Sequence, residues 1–201
     1  MSTRLRLPLA ALALTSLAGC GGASTTAESG QAERTTSGDE RAVTTEAPAS
    51  MADAEIPNPC DSGAVQLRGG EGEYPNTIGM EEPGGIELHD VGVLDLDHDG
   101  ELEHVAYVLC MPGGSGTFDS VRAYHFRDGR FVQVAAIEGG DRADGGLDTP
   151  RLEGDAIVVG RFSGDEEGLC CPTHVTDETW QLQSGSFVRT ARGELRPYTS
   201  E

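Results

Sequence analysis

The chain has 201 residues with 34 acidic and 14 basic side chains, which gives a formal net charge of −20. This charge excludes nucleic-acid binding, which needs cationic side chains on the phosphates, and it excludes electrostatic docking on anionic lipid. All 14 basic residues are arginine, so P-loop and Schiff-base chemistry, which depend on lysine, are excluded as well.

The N-terminus has the organisation of an export signal. Arg4 and Arg6 precede an apolar stretch at residues 7–18, whose 12 residues are too few to span a bilayer. The stretch ends in Leu17-Ala18-Gly19-Cys20, which resembles the bacterial lipobox. The resemblance implies that residues 1–19 are a lipoprotein signal peptide and that Cys20 becomes a lipidated N-terminus carrying fatty acids such as palmitate. It also implies a cell-membrane anchor on the extracytoplasmic face. An ordinary secretory signal with an unrelated cysteine is the alternative.

A polar segment follows the signal. Residues 21–55 contain no aromatic side chain, and Val43 and Met51 are their only sizeable apolar residues. Such a segment cannot bury enough surface to offset its ordering entropy, so we predict that residues 20–55 form a lipidated, disordered tether. From Ile56 onward, aromatic residues and alternating Val and Leu occur, and residues 56–201 are long enough for a single disulfide-stapled β-rich domain.

Short apolar runs separated by turn residues predict antiparallel hairpins in this domain. The runs at 86–96 and 102–111 flank an acidic turn, those at 121–126 and 131–137 flank Asp128-Gly129, and those at 178–182 and 187–190 flank Ser184-Gly185. A further strand is predicted at 156–162. We therefore expect a mainly β fold, sandwich- or barrel-like. An α+β fold with one short helix at residues 60–67 is the alternative.

The acidic turn has the spacing of a metal-binding loop. Acidic side chains alternate along it at Asp95, Asp97, Asp99, Glu101 and Glu103. Calcium takes six to eight oxygen ligands, and Gly100 permits a tight bend, so the pattern predicts a structural calcium site. Four carboxylates would bind the ion, and Glu101 would contribute its backbone carbonyl. Ala106 stands where an EF-hand needs a bidentate Glu. The loop instead resembles the DxDxDG loops of FG-GAP and VCBS-type extracellular repeats. A hairpin turn with merely solvated acids is the alternative.

Four cysteines remain after Cys20, and an even number in an exported chain predicts two disulfides among Cys60, Cys110, Cys170 and Cys171. Neighbouring residues on a strand point to opposite faces, so we expect Cys170 and Cys171 to bond to different partners, Cys60 and Cys110, with the connectivity open. A metal site formed by Cys170, Cys171 and His174, or a vicinal redox disulfide, is the alternative.

The sequence carries no H-E-x-x-H, nucleophile-elbow or P-loop motif. The five histidines lack metal-ligand spacing, and His125 is expected to be a packed or surface residue of a strand. The order of lipobox, tether, acidic turn, Cys110, Cys170-Cys171-Pro172 and a final Trp180 hairpin is similar to that of small LppP/LprE-type lipoproteins.

These features predict a binding or structural module rather than an enzyme. Its expected partners are the membrane, through the lipid anchor, and an envelope protein, glycan or small solute. An extracytoplasmic hydrolase with an unrecognised active site is the alternative.

Overall fold

The computed structural model describes residues 50–75, 79, 81–113, 116–141, 144–164 and 171–199. The predicted signal peptide, Cys20, nearly all of the predicted tether and Cys170 lie outside these residues. The described residues contain no helix that is long and apolar enough to cross a bilayer.

The described residues form 13 β-strands and no helix, which confirms the predicted mainly β fold. In chain order the strands are β1 (Glu55–Pro57), β2 (Ala64–Gln66), β3 (Glu71–Tyr74), β4 (Gly84–Leu94), β5 (Glu103–Met111), β6 (Phe118–Arg127), β7 (Arg130–Asp141), β8 (Asp144–Leu147), β9 (Arg151–Glu153), β10 (Ala156–Ser163), β11 (His174–Gln183), β12 (Ser186–Arg192) and β13 (Arg196–Pro197).

Two tight hairpins form where the turn residues predict them. Asp128 and Gly129 have φ angles of 53° and 78°, and Ser184 and Gly185 have 52° and 75°. Two consecutive positive φ angles are typical of the hairpin turn whose twist matches that of its strands. The cross-strand pairs next to these turns are Phe126 with Phe131 and Leu182 with Phe187.

The large sheet has the strand order β12-β11-β10-β8-β7-β6-β5-β4-β3, with β9 paired to β10 and β13 to β11. All of its pairings are antiparallel. The sheet folds over on itself, because β12 lies against β7 and β9 lies against β4. Gly92 of β4 permits β9 to lie this close to β4, since a Cβ at position 92 would stand 2.6 Å from a methyl group of Leu152. The central strands are therefore covered on both faces.

Two apolar clusters occupy the two faces. Val105 and Ala106 are neighbours on β5 and contribute to different clusters. The cluster enclosed by the folded sheet contains Leu96, Val105, Val121, Ala135, Ile137, Leu147, Ile157, Val159 and Leu182. The cluster beneath the separate β1–β2 sheet contains Met51, Ile56, Val65, Leu67, Ile86, Leu88, Ala106, Val108, Cys110, Tyr124 and Phe131.

The ordered domain begins before the predicted boundary at residues 55 and 56. Met51 is fully buried in the second cluster. The Asp90 carboxylate accepts hydrogen bonds from the Ser50 hydroxyl at 2.5 Å and from the Met51 backbone N–H at 3.3 Å. One methionine within a polar segment is enough to extend the core, and the polar composition around it concealed this role.

The alternative of a helix at residues 60–67 is wrong. Strand β2 occupies the end of this segment and pairs antiparallel with β1, with Val65 opposite Ile56. Gly63 has a φ angle of 89°, which a right-handed helix does not accommodate, and its carbonyl accepts a hydrogen bond from Asn58 N–H at 3.0 Å. The segment is therefore a turn leading into a strand.

Cys60 and Cys110 form a disulfide, with their Cα atoms 5.5 Å apart. The expectation that each of them bonds to Cys170 or Cys171 is therefore wrong. The bond joins the loop between β1 and β2 to the end of β5. It forms because the small sheet packs against that end of the large one, and this arrangement cannot be derived from cysteine spacing.

Candidate metal centre

The acidic loop connects β4 to β5 and is bent by two residues with positive φ angles, His98 at 62° and Gly100 at 91°. Aspartate carboxylates accept backbone N–H groups within the loop. Asp95 accepts from Asp99 and Gly100, both at 3.1 Å, and Asp99 accepts from Glu101 at 2.8 Å. These bonds turn the alternate carboxylates toward one side of the loop.

Three of the four predicted carboxylate ligands converge. One carboxylate oxygen from each of Asp95, Asp97 and Asp99 lies within 4.8 Å of the other two. Asp95 and Asp97 are half-buried, and Asp99 is exposed. A hard cation such as calcium accepts this ligand type, and backbone carbonyls and water commonly complete its shell. The residues present therefore fit a calcium site with three carboxylate ligands.

Glu103 has a different position from the one predicted. It lies on β5 with no solvent exposure, and one oxygen accepts the Leu96 backbone N–H at 2.6 Å. The other oxygen is 2.5 Å from Nε2 of His125, which is its direct cross-strand neighbour on β6. Glu103 thus anchors the loop to the sheet and is not one of the three converging carboxylates.

Glu101 lies at the other end of the same imidazole. Its Oε2 is 3.3 Å from Nδ1 of His125 and accepts hydrogen bonds from the guanidinium of Arg127. Ligand atoms of Asp99, Glu101 and His125 all lie within 4.8 Å of one another, which defines a second group of metal-binding side chains. From the sequence, His125 is expected to be only a packed or surface residue. The contact depends on the register of β5 with β6, which makes His125 the cross-strand neighbour of Glu103, and this register could not be read from the sequence.

His98 lies in the acidic loop itself, and its imidazole contacts a different part of the fold. Its Nε2 is 3.2 Å from Oδ2 of Asp155, which lies in the turn between β9 and β10. The hydrogen bond from His98 lowers the pKa of the Asp155 carboxyl. This contact links the acidic loop to the other half of the folded sheet.

The alternative metal site at Cys170, Cys171 and His174 cannot be assembled from described residues, because Cys170 lies outside them. Nδ1 of His174 is 2.9 Å from the Thr173 hydroxyl. Among the described residues, the side chains that could together bind a metal ion therefore lie in and beside the acidic loop.

Two surface depressions are lined by residues outside the acidic loop. One, of about 570 Å³, is lined by residues of β2 to β5 that include Gln66, Glu73 and Met111. Another, of about 640 Å³, lies where β4 approaches β9 and includes His89, Tyr107 and Leu152. Neither is lined by the three converging aspartates.

No protein family, curated protein or solved structure matches this chain. The interpretation of the acidic loop therefore rests on its own geometry and on the chemistry of its ligands.

Proposed function

We propose that the protein is a lipid-anchored module on the extracytoplasmic face of a bacterial membrane, and that calcium stabilises its folded domain through the acidic loop. The anchor is supported by the lipobox-like sequence ending at Cys20. The observation that carries the calcium proposal is the convergence of Asp95, Asp97 and Asp99 on one side of the loop.

A bound cation would stabilise the β4–β5 hairpin, which contributes to both apolar clusters of the domain. The loop joins β4 and β5, both of which contribute to the two apolar clusters. Three carboxylates held within 4.8 Å repel one another when ionised, and a divalent cation removes that repulsion. Calcium thereby favours the folded loop over the unfolded chain.

The module's role is to bind an envelope component, a protein, glycan or small solute, at a distance from the membrane set by the tether. Support for binding over catalysis comes from the sequence, which carries no H-E-x-x-H, nucleophile-elbow or P-loop motif. The cation in this proposal maintains the shape of the domain and does not touch a reacting group.

Thermal unfolding of the wild type and Asp97→Asn, each with calcium and with EDTA, tests the proposal. The amide keeps the oxygen that accepts the Asp99 N–H at 3.3 Å and removes only the charge. At a calcium concentration 100 times the dissociation constant, binding adds about 2.7 kcal/mol to the unfolding free energy. We expect the wild-type Tm to rise by roughly 5–10 °C in calcium and the variant's Tm to change little.

Asp128→Asn is the matched control, because Asp128 is an exposed turn residue with a positive φ angle of 53° that Asn also tolerates. It removes the same charge without touching the loop, and its calcium response is expected to equal that of the wild type. A Tm loss in Asp97→Asn that is equal in calcium and in EDTA would overturn the calcium proposal.

A further inference from the structure

We infer that residues 50–54, the strap where the predicted tether joins the domain, form a latch that is closed at neutral pH and released when His104 takes up a proton. The strap contributes Met51 to the apolar cluster beneath the β1–β2 sheet. The inference goes beyond the proposed function, because it needs neither a lipid anchor nor a bound cation.

Hydrogen bonds fix the strap at both of its ends. At the first end, the Ser50 hydroxyl and the Met51 backbone N–H donate to the carboxylate of Asp90, at 2.5 Å and 3.3 Å. Further along, the carbonyls of Ala52 and Ala54 accept backbone N–H groups from the segment between β2 and β3, at 2.8 Å and 2.9 Å. Asp90 therefore attaches the strap to the large sheet at the point where the chain enters the domain.

The imidazole of His104, on β5, is buried in an apolar setting. It is 2% exposed, and neither Nδ1 nor Nε2 has a hydrogen-bond partner among the described residues. Its ring meets the ring of Phe131 edge-on, with centroids 5.1 Å apart, and Phe131 belongs to the same cluster as Met51. A protonated ring needs acceptors for two N–H groups, and the described residues offer neither of them. The ring is therefore neutral while the strap is in place.

The groups that face this ring do not compensate for its burial. Burial lowers the pKa of His104, and the negative charge of Asp90 offsets this shift only in part. Tyr124, its direct cross-strand neighbour on β6, has a hydroxyl with no partner in the described part of the chain. Burial raises the pKa of Tyr124, so that hydroxyl carries no charge. Glu103, the preceding residue on β5, points to the opposite face of the sheet and accepts its hydrogen bonds there.

Proton uptake is thereby coupled to release of the strap. When Met51 leaves the cluster, water reaches the ring of His104, and an imidazole in water has a pKa of about 6.5. The closed form has a lower pKa, so its advantage is present above pH 6.5 and is lost as pH falls toward that lower value. Over this interval the ratio of open to closed molecules rises by up to about tenfold per pH unit. Asp90, freed from the strap, is then available as the partner of the imidazolium.

NMR spectra of the full chain, labelled with ¹³C in methionine methyl groups and histidine rings, test the inference between about pH 8 and about pH 4.5. We expect the Met51 methyl signal to move toward that of an exposed methionine over the same pH values at which the His104 ring titrates. Amide signals of β6 and β7 should remain those of the folded domain. Spectra recorded in EDTA and in excess calcium should agree, so failure of the calcium proposal would leave this test intact.

Two variants separate His104 from the other groups that titrate in this range. His104→Phe keeps an aromatic ring beside Phe131 and removes the proton-binding group, so its Met51 signal should stay at the buried position throughout. His89→Gln is the matched control, because His89 is an exposed histidine on the neighbouring strand β4. Its Met51 signal should move as in the wild type.

Several results would overturn the latch. One is a His104 ring that titrates while Met51 stays buried, and another is a Met51 signal that remains unchanged down to about pH 4.5. Movement of Met51 to the same extent in His104→Phe would also contradict it. Loss of the β6 and β7 signals together with that of Met51 would show acid unfolding of the whole domain in place of a local release. The joint titration in the wild type decides the question even if His104→Phe does not fold.

Discussion

Glu178 and Asp119 are both buried carboxyl groups, yet the pKa values of the two are shifted in opposite directions because their partners differ. Glu178 has no solvent exposure, and burial opposes its charged form. Hydrogen bonds from Arg161 at 2.9 Å and Arg189 at 2.5 Å nevertheless hold its pKa below the ordinary value. Two guanidinium groups thus stabilise a carboxylate that the interior would otherwise neutralise.

Asp119 receives only neutral donors. Its Oδ2 accepts the Leu147 backbone N–H at 2.8 Å and lies 3.5 Å from the Tyr107 hydroxyl, and its buried Oδ1 has no hydrogen-bond partner in the described part of the chain. Burial raises the pKa of Asp119 to about 6. The backbone approaches so closely that a Cβ at position 139 would stand 1.7 Å from Oδ1, so Gly139 is required there.

We predict that Asp119→Asn stabilises the protein at neutral pH. The folded state raises the pKa of this group from 3.8 to about 6, so its protonated form is favoured by folding. The associated stability is fully present below pH 3.8 and is lost as pH rises through 6. At pH 7.5 the buried charge costs about 3 kcal/mol, which the amide avoids while still accepting the Leu147 N–H.

Urea denaturation at several pH values measures this effect. The advantage of Asp119→Asn over the wild type should be largest above pH 6 and should vanish near pH 4. Asp128→Asn, which removes an exposed charge, should show no such dependence. An advantage of Asp119→Asn that is independent of pH, or a loss of stability at pH 7.5, would contradict the prediction.

At the scale of elements, the β1–β2 sheet is too small to be stable without the sheet beneath it. Each of its strands has three residues. Its buried side chains Ile56 and Val65 belong to the apolar cluster that this sheet shares with β4 to β7. Its connections to the large sheet include this apolar packing, a hydrogen bond from the Arg122 guanidinium to the Pro59 carbonyl at 3.3 Å, and the disulfide between Cys60 and Cys110.

We predict that the double variant Cys60→Ala/Cys110→Ala is destabilised by about 4 kcal/mol, because the bond closes a loop of 50 residues in the unfolded chain. The urea midpoint measures the loss. Peptide mapping without reduction should recover Cys60 and Cys110 in one linked fragment. An unchanged midpoint together with separate fragments would show that this disulfide does not form in solution.

At the scale of the whole molecule, the net charge bears on how the proposed lipid anchor would act. The predicted signal peptide contains two arginines and no acid, so cleavage before Cys20 would leave 12 basic and 34 acidic residues and a charge of −22. Such a chain is repelled by anionic lipid. The proposed anchor, two acyl chains on Cys20, would hold the chain at a membrane in spite of this repulsion.

We predict that Cys20→Ser moves the protein from the membrane to the soluble fraction when both forms are expressed in a bacterium that processes lipoproteins. Detergent-phase partitioning measures this, since only the lipidated form enters the detergent phase. Cys171→Ser is a control that changes an exposed cysteine of the domain outside the Cys60–Cys110 disulfide and should leave partitioning unchanged. A wild-type protein that is itself soluble would instead indicate an ordinary secretory signal.

The hairpins could be predicted from the sequence because their determinants are local. Alternating apolar residues and Asp128-Gly129 specify both the turn and the pairing of Phe126 with Phe131. The convergence of Asp95, Asp97 and Asp99 is equally local, since all three lie in one short loop. The burial of Met51 could not be predicted in this way, because its contacts come from strands distant in the chain.

By itself, then, the sequence determined the mainly β class, the tight turns and the acidic loop, since each depends on residues within one hairpin. The tertiary structure decided the pairing of Cys60 with Cys110, the removal of Glu103 from the predicted ligand set and the position of His125 beside Glu101. These three depend on the register of β5 with β6 and on how the small sheet packs. The connection before β6 is not a two-residue turn that would specify this register, so the fit of both apolar faces sets it.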